Sequence, residues 1–333
     1  RGDSTNIEEE SYTFEVYRIP NLYVSAPEST PPGSAAGDGS HDAPYDTIQK
    51  ALEKAKTFDL ADIPGAEVAI IISGTITAVS GAVTNDGMVV ISGSGYPAIV
   101  LKGADTGTNA INASGKNKRV LYIGDGNTVR LEDNLILKGG SFANGSGVYV
   151  TNGGKFTMTG GSIQNNTSGD SRDGGVSVAS GGEFTMTGGY IQGNSANVGG
   201  GVSVASGGKF TMTGGYIKNN TAANFGGGVN VTSGKFTMTG GYIQDNSAST
   251  GGGVYVAGVG AIFTKTGGTI YGGEEAEGLK NTAGTGPAVY LNFGKKRDTT
   301  ADENVNLYAA YNDGWSYNDT TPGGAGNTIG NWH

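Results

Sequence analysis

The sequence predicts an all-β fold: a single-stranded, right-handed parallel β-helix with three strands per coil and about 26 residues per coil. Three observations predict it. The phrase Phe-Thr-Met-Thr-Gly-Gly begins at Phe156, Phe184, Phe210 and Phe236, with a decayed copy, Phe-Thr-Lys-Thr-Gly-Gly, at Phe263; successive copies lie 28, 26, 26 and 27 residues apart. Two more phrases run in step with it. One is Gly-Val-x-Val (Val148/Val150, Val176/Val178, Val202/Val204, Val229/Val231, Val254/Val256), and the other is x-Ile-x-x-Asn (Ile163, Ile191, Ile217, Ile243, then Asn166, Asn194, Asn220, Asn246). Glycine is 62 of 333 residues, where about 7% is usual, and it has no Gly-X-Y period, which excludes collagen.

Each repeat holds three short runs broken by Gly-rich corners. In Phe156-Thr157-Met158-Thr159 the apolar side chains share one face and the threonines the other, and period-2 alternation marks a strand. One repeat cannot bury its apolar face alone, so repeats must stack, with a rise of about 4.8 Å per coil. Val, Phe, Met and Ile are expected inside, and Thr, Ser, Gln and Tyr outside. Val120–Ile123, Val129–Leu131 and Leu135–Gly140 repeat the same order, and Val68–Ile76, Met88–Ile91 and Ala98–Leu101 read as irregular coils. Ala288–Leu291 reads as a further Gly-Val-x-Val strand after an inserted loop at 272–286.

A stack has two open ends that need covering. Pro44–Phe58 reads as a capping helix with Ile48, Ala51, Leu52 and Ala55 on one face, beside a strand in Glu15–Ser25. The expected organisation is 1–58 as N-terminal strand, loop and helix, 59–295 as coils (regular from about 119 to 293), and 296–333 as a C-terminal cap.

Net charge is -9, with no cysteine and two histidines, His41 and His333. No Lys/Arg run suggests a nucleic-acid or anionic-membrane partner. A disulfide framework and Cys-based metal sites are excluded, and a His-rich site is not available. No stretch reaches the length of a membrane span. With no cysteine, and with no Met at the start, the chain reads as an exported bacterial protein freed of its signal peptide.

Leu22-Tyr23-Val24-Ser25, the loop around Gly37–Ser40, and Pro44-Tyr45-Asp46-Thr47-Ile48-Gln49-Lys50-Ala51-Leu52 together resemble the opening of pectate-lyase-like β-helix proteins. Gly-Gly-Tyr-Ile-Gln-Gly-Asn-Ser-Ala and Gly-Gly-Gly-Val-Tyr-Val are similar to repeats of bacterial surface β-helix proteins, among them adhesin-like and polymorphic outer-membrane proteins. The resemblance spans most of 22–293. It implies the fold and a cell-surface location; for activity it is open, because that superfamily includes lyases, hydrolases, adhesins and phage fibres.

Lyases of that superfamily cluster Asp/Glu around Ca²⁺ beside a basic residue, and the related hydrolases use close Asp pairs. The regular coils carry no recurring acid pair, so no catalytic residue is assigned. The best acidic–basic group is Asp170, Arg172 and Asp173, in the insertion that lengthens one repeat to 28 residues; it reads as a solvated turn with an ion pair. Glu274, Glu275 and Glu277 form an acidic loop that reads as surface, with weak Ca²⁺ binding as its only functional alternative, and no other cofactor is expected. The Asn column reads as a structural ladder. The Thr-x-Thr rows resemble an ice-binding array, but Lys155, Glu183, Lys209 and Lys235 should share that face and spoil the lattice.

The strongest candidate surface is Tyr190, Tyr216 and Tyr242, flanked by Gln192, Lys218 and Gln244. Ring faces and hydroxyls beside amides suit a sugar. The expected function is a non-enzymatic adhesion module for polysaccharide, host glycan or surface protein. The alternative is a polysaccharide lyase or glycoside hydrolase, and the third reading is a passive spacer.

Overall fold

The computed structural model describes residues 19–26, 29, 31–34, 36–60, 63–77, 87–142, 145–168, 173–273 and 276–291, together with the backbone of 295–298, 306–309, 315–317 and 331–332. It is an all-β parallel solenoid of about seven turns, about 27 residues per turn. Strand Leu22–Ser25 lies parallel to Glu67–Ser73, at the start of the stack. Helix Ile48–Ala55 buries Ile48, Ala51, Leu52 and Ala55, the four residues that its apolar periodicity brings to one face.

The Gly-Val-x-Val phrases form one sheet of parallel rungs running from Gly87–Ile91 through Arg119–Ile123, Val148–Val150, Val176–Val178, Val202–Val204, Val229–Thr232 and Val254–Ala257 to Val289–Leu291. The Phe and Ile phrases occupy a second, larger sheet, where identical residues stack: Phe156↔Phe184, Phe184↔Phe210, Phe210↔Phe236, Phe236↔Phe263. In the later coils these two phrases merge into unbroken strands, Lys235–Gln244 and Ile262–Tyr271.

The coil also has a strand that the three-strand reading lacks. Ser195–Val198, Thr221–Phe225, Ser247–Thr250 and Thr282–Thr285 pair in a short parallel sheet. Its signal is the Ser/Thr-Ala step after each Asn, whose alanines Ala196, Ala222 and Ala248 turn inward and are buried. Ala is a weak strand former, so the step passes as a corner in the sequence.

The interior is a set of homogeneous columns. The Phe rings stack at 5.2, 4.8, 4.7 and 4.9 Å between centroids, and the flanking Val, Met and Ile are fully buried. Each such side chain contributes about 1.5–3 kcal/mol by leaving water. At the corner after each Ile, Asn166, Asn194, Asn220, Asn246 and Asn281 form a buried ladder. Each side-chain Nδ2 donates to the next Oδ1, at 2.9, 3.0, 3.0 and 2.9 Å. The same Oδ1 accepts the preceding rung's backbone N–H. The corner's polar groups are thereby paired without water. Asn281, inside the 272–286 segment that reads as a loop and just before the strand Thr282–Thr285, extends the column past the four members expected.

The Met column ends differently. Lys265 pairs with Met238, where the earlier rungs match Met158, Met186, Met212 and Met238, and only 2% of Lys265 is exposed. Past Lys265 the register slips, Thr239 facing Gly267 instead of Thr266. Thr264 thus stays in register with Thr237, while the shift puts Thr266 out of line with Thr239. After this rung the pairing changes direction: Asn306–Ala309 and Asn331–Trp332 lie antiparallel to Ile262–Tyr271, and Trp315–Tyr317 antiparallel to Val289–Leu291.

Candidate functional site

The Ile strands place a row of side chains on the outer surface, because residues flanking a buried Ile point away from the core. Register fixes one column as Ile136, Ser162, Tyr190, Tyr216, Tyr242 and Thr269. The neighbouring column holds Lys138, Gln164, Gln192, Lys218 and Gln244. All six residues singled out from the sequence lie together on this strip, and it carries no carboxylate although the chain has 30 Asp and Glu against 21 Lys and Arg.

The tyrosines form a true stack. Ring centroids are 5.4 Å apart for Tyr190–Tyr216 and 5.0 Å for Tyr216–Tyr242, with planes inclined by 14° and 13°. Tyr271, placed two residues further along its strand than the other tyrosines, leans onto Tyr242 at 6.5 Å. The rings cover one another's faces, so the interior of the ladder presents edges and hydroxyls, and open ring faces are confined to its ends. The end members Tyr190 and Tyr242 are 42% and 39% exposed, and Tyr216 between them is half-buried.

The flanking polar groups are ordered along the same axis. Gln192 Nε2 donates to Gln164 Oε1 at 2.8 Å, the Ser162 hydroxyl donates to Gln164 Oε1 at 3.2 Å, and Gln244 Nε2 donates to the Gly278 carbonyl at 3.2 Å. Lys218 reaches back so that its Nζ lies 5.0 Å from the Tyr190 ring centroid, a cation–π contact.

The other half of the same sheet is charged. Lys155, Glu183, Lys209 and Lys235 occupy one column beside Thr157, Thr185, Thr211 and Thr237. Lys209 donates to Glu183 at 2.7 Å. That bond, joined by the nearby charge of Lys155, holds the Glu183 carboxyl below the usual carboxylate range.

The acidic–basic loop is only partly within view: Asp170 and Arg172 lie outside the described residues, as do Glu274 and Glu275. Asp173 sits at a corner with φ of 67°, where later coils place Gly199, Gly226 and Gly251 at 66°, 67° and 68°. Its Oδ2 accepts the Ser177 hydroxyl at 2.7 Å, so it shapes a turn that glycine makes elsewhere. Glu277 pairs with Lys280 at 2.5 Å. Among the described residues no three His, Cys, Asp or Glu side chains converge as metal ligands.

One ionic cluster escapes sequence reading. Arg130 Nη1 donates to Glu67 Oε1 at 2.6 Å and its Nε to Glu132 Oε1 at 2.8 Å. Glu67 and Arg130 are 63 residues apart in the chain, and only the irregular early coils, which the repeat phrases do not index, bring them together. No described helix is long and apolar enough to cross a membrane.

Compared with protein-family models, curated proteins and solved structures, the chain has no significant match to any of them.

Proposed function

We propose that this protein is an exported bacterial surface β-helix that binds glycans without processing them, as an adhesion module. The carrying observation is the tyrosine strip: a straight ladder of phenols beside a row of amides and lysines, free of carboxylates, on a flat sheet face. Hydroxyl and amide rows spaced one rung apart offer repeated donors and acceptors to a polyhydroxylated chain lying on them, and the open ring faces at the ends offer stacking. The opening motif's resemblance to pectate-lyase-like proteins, and the repeats' resemblance to bacterial surface proteins, support location at the cell surface.

A second reading, a polysaccharide lyase or glycoside hydrolase, draws on Glu67, Arg130 and Glu132, two carboxylates and a cation on one outer face. A panel of neutral and acidic polysaccharides separates the two. Retention on a glycan, lost when Tyr190, Tyr216 and Tyr242 are all changed to Ala, is the expected result. Depolymerisation, above all Ca²⁺-dependent with unsaturated products, would overturn it in favour of the enzyme, and neither binding nor turnover would leave a passive spacer.

A further inference from the structure

The outer face of the larger sheet is basic in an acidic chain. Its described outward strand positions carry seven Lys and Arg and two Glu, while the whole chain has 21 Lys and Arg against 30 Asp and Glu. The carboxylates on the face are engaged. Arg130 holds Glu67 and, just past its own strand, Glu132; Lys209 holds Glu183. Asp133 and Asp245 belong to bends between strands. Lys138, Lys155, Lys218 and Lys235 form no ion pair among the described residues. Their placement is regular. Lys138 and Lys218 share one column, three rungs apart, and Lys155 and Lys235 share another, again three rungs apart. At about 4.8 Å per rung, each pair spans about 14 Å. Lys218 reaches back to the Tyr190 ring, which brings its charge within two rungs of Lys138, about 10 Å. Between the two columns run Thr157, Thr185, Thr211 and Thr237 and the tyrosine ladder. The two halves of the face join in the unbroken strand Lys235–Gln244.

We propose that this face selects an acidic polysaccharide bearing a uronate carboxylate on about every second or third sugar, and that Lys138, Lys155, Lys218 and Lys235 hold those carboxylates directly, with no bridging Ca²⁺. The proposal rests on the glycan-binding reading above and gives the glycan its charge. A sugar unit of an extended glycan is about as long as a rung is high. Ammoniums two to three rungs apart therefore match carboxylates at that interval, and the hydroxyls between them meet the neutral units. Lysine suits the task. Its ammonium is a compact point charge on a flexible stem, so it tolerates a mismatch between sugar pitch and rung pitch that the rigid fork of arginine would not. Charge density separates this ligand from nucleic acid. A DNA duplex carries one negative charge per about 1.7 Å, far denser than one unpaired ammonium per about 10–14 Å in each column. A Ca²⁺ bridge needs carboxylates free to bind the ion, and on this face Arg130 and Lys209 occupy them.

The probes are a hyaluronan octasaccharide, whose carboxylates fall on alternate sugars, and the same octasaccharide with its carboxyls reduced to alcohols, both measured by calorimetry. The native chain should bind the acidic form about tenfold tighter than the reduced one at low salt. That preference should fade in high salt, where exposed charges are screened, and survive a chelator. Changing Lys138, Lys155, Lys218 and Lys235 all to Gln should abolish the preference, since several modest surface contacts combine to about tenfold. The pair Lys138→Gln and Lys218→Gln should lose about threefold and serves if the fourfold variant folds poorly. Lys54→Gln with Lys116→Gln, on the capping helix and a turn, makes the same charge change away from the face and should bind as the native chain does; an equal loss there would overturn the assignment. So would loss of binding with the chelator, or tighter binding of duplex DNA or dextran sulfate than of hyaluronan. Equal native binding of the two octasaccharides, with the triple Tyr→Ala ladder variant inactive, would overturn the charge selection and leave the glycan reading intact. No binding of either form, or of any polysaccharide, would overturn both.

Discussion

Replacing Lys265 by Met should stabilise the end of the solenoid, by an amount that depends on pH. Lys265 is 2% exposed and occupies the interior position held by Met238, Met212, Met186 and Met158 in the preceding rungs. Burial disfavours its charged form and pushes its pKa down to about 8, whereas an unfolded lysine titrates near 10.4. Between those values the unfolded chain binds more protons than the folded one, so stability rises with pH across that window. Below about pH 8 the penalty is fully present, and a gap of this size corresponds to about 3 kcal/mol. Lys265→Met keeps roughly the same volume and has nothing to ionise. At pH 7 it should be more stable than the native chain by about 2–3 kcal/mol, and the difference should shrink to less than about 1 kcal/mol by pH 10.5. The assay is urea unfolding followed by tryptophan fluorescence between pH 7 and 10.5. The chain has two tryptophans, and Trp332 and Trp315 pair with Ile270 and Leu291 at this end of the stack, so the probe reports the local coil even if the stack unfolds in stages. A difference that does not change with pH, or a variant less stable than the native chain at pH 7, would refute the reasoning.

Three other substitutions probe the coil. Asn220→Ala removes the acceptor for two donors of Asn194 and the donor to the Ile191 carbonyl; burying those unpaired groups should cost about 3 kcal/mol, read as a lower urea midpoint. Gly201→Ala would set a Cβ 2.5 Å from the Gly228 carbonyl oxygen and 2.9 Å from the Ile217 side chain, so the rungs must part, and a loss of about 2 kcal/mol is expected in the same assay. Glu183→Gln breaks an ion pair whose side chains are 42% and 58% exposed; its effect should stay under about 0.5 kcal/mol and vanish in high salt.

Much of this architecture was legible because each rung repeats the chemistry of the one before. Phe stacks on Phe, Ile on Ile and Asn on Asn, so a phrase recurring every 26 to 28 residues is already a contact map. The candidate strip was legible for the same reason: Tyr190, Tyr216 and Tyr242 must align if Ile191, Ile217 and Ile243 do. What stayed hidden was whatever departs from the repeat. Lys265 reads as decay of a Met position, and only the stack reveals that it points inward. Asn281 rejoins its column within an insertion that breaks the count, and Tyr271 leans onto Tyr242 from two residues out of register. Arg130 meets Glu67 across coils too irregular to be set in register by eye. The stacked rings themselves also altered the chemistry expected of them. The sequence suggests a row of available ring faces, but at this spacing the tyrosines use those faces on each other, which leaves edges and hydroxyls along the ladder.

The asparagine ladder has a direction. Every side-chain amide from Asn166 to Asn246 donates toward the C-terminal end and accepts from the N-terminal side, so five amide groups are aligned head to tail. Their dipoles add, as peptide dipoles add along an α-helix, and each bond polarises the next. The solenoid thus has a wire of oriented amides along one corner, positive toward Asn281 and negative toward Gly140, whose N–H closes the chain on the Asn166 carbonyl at 2.9 Å. Cutting such a wire in the middle leaves two short arrays, whereas trimming an end leaves one long one. The cost of losing an asparagine should therefore peak at Asn220 and fall toward Asn166, a gradient that identical local contacts alone would not produce.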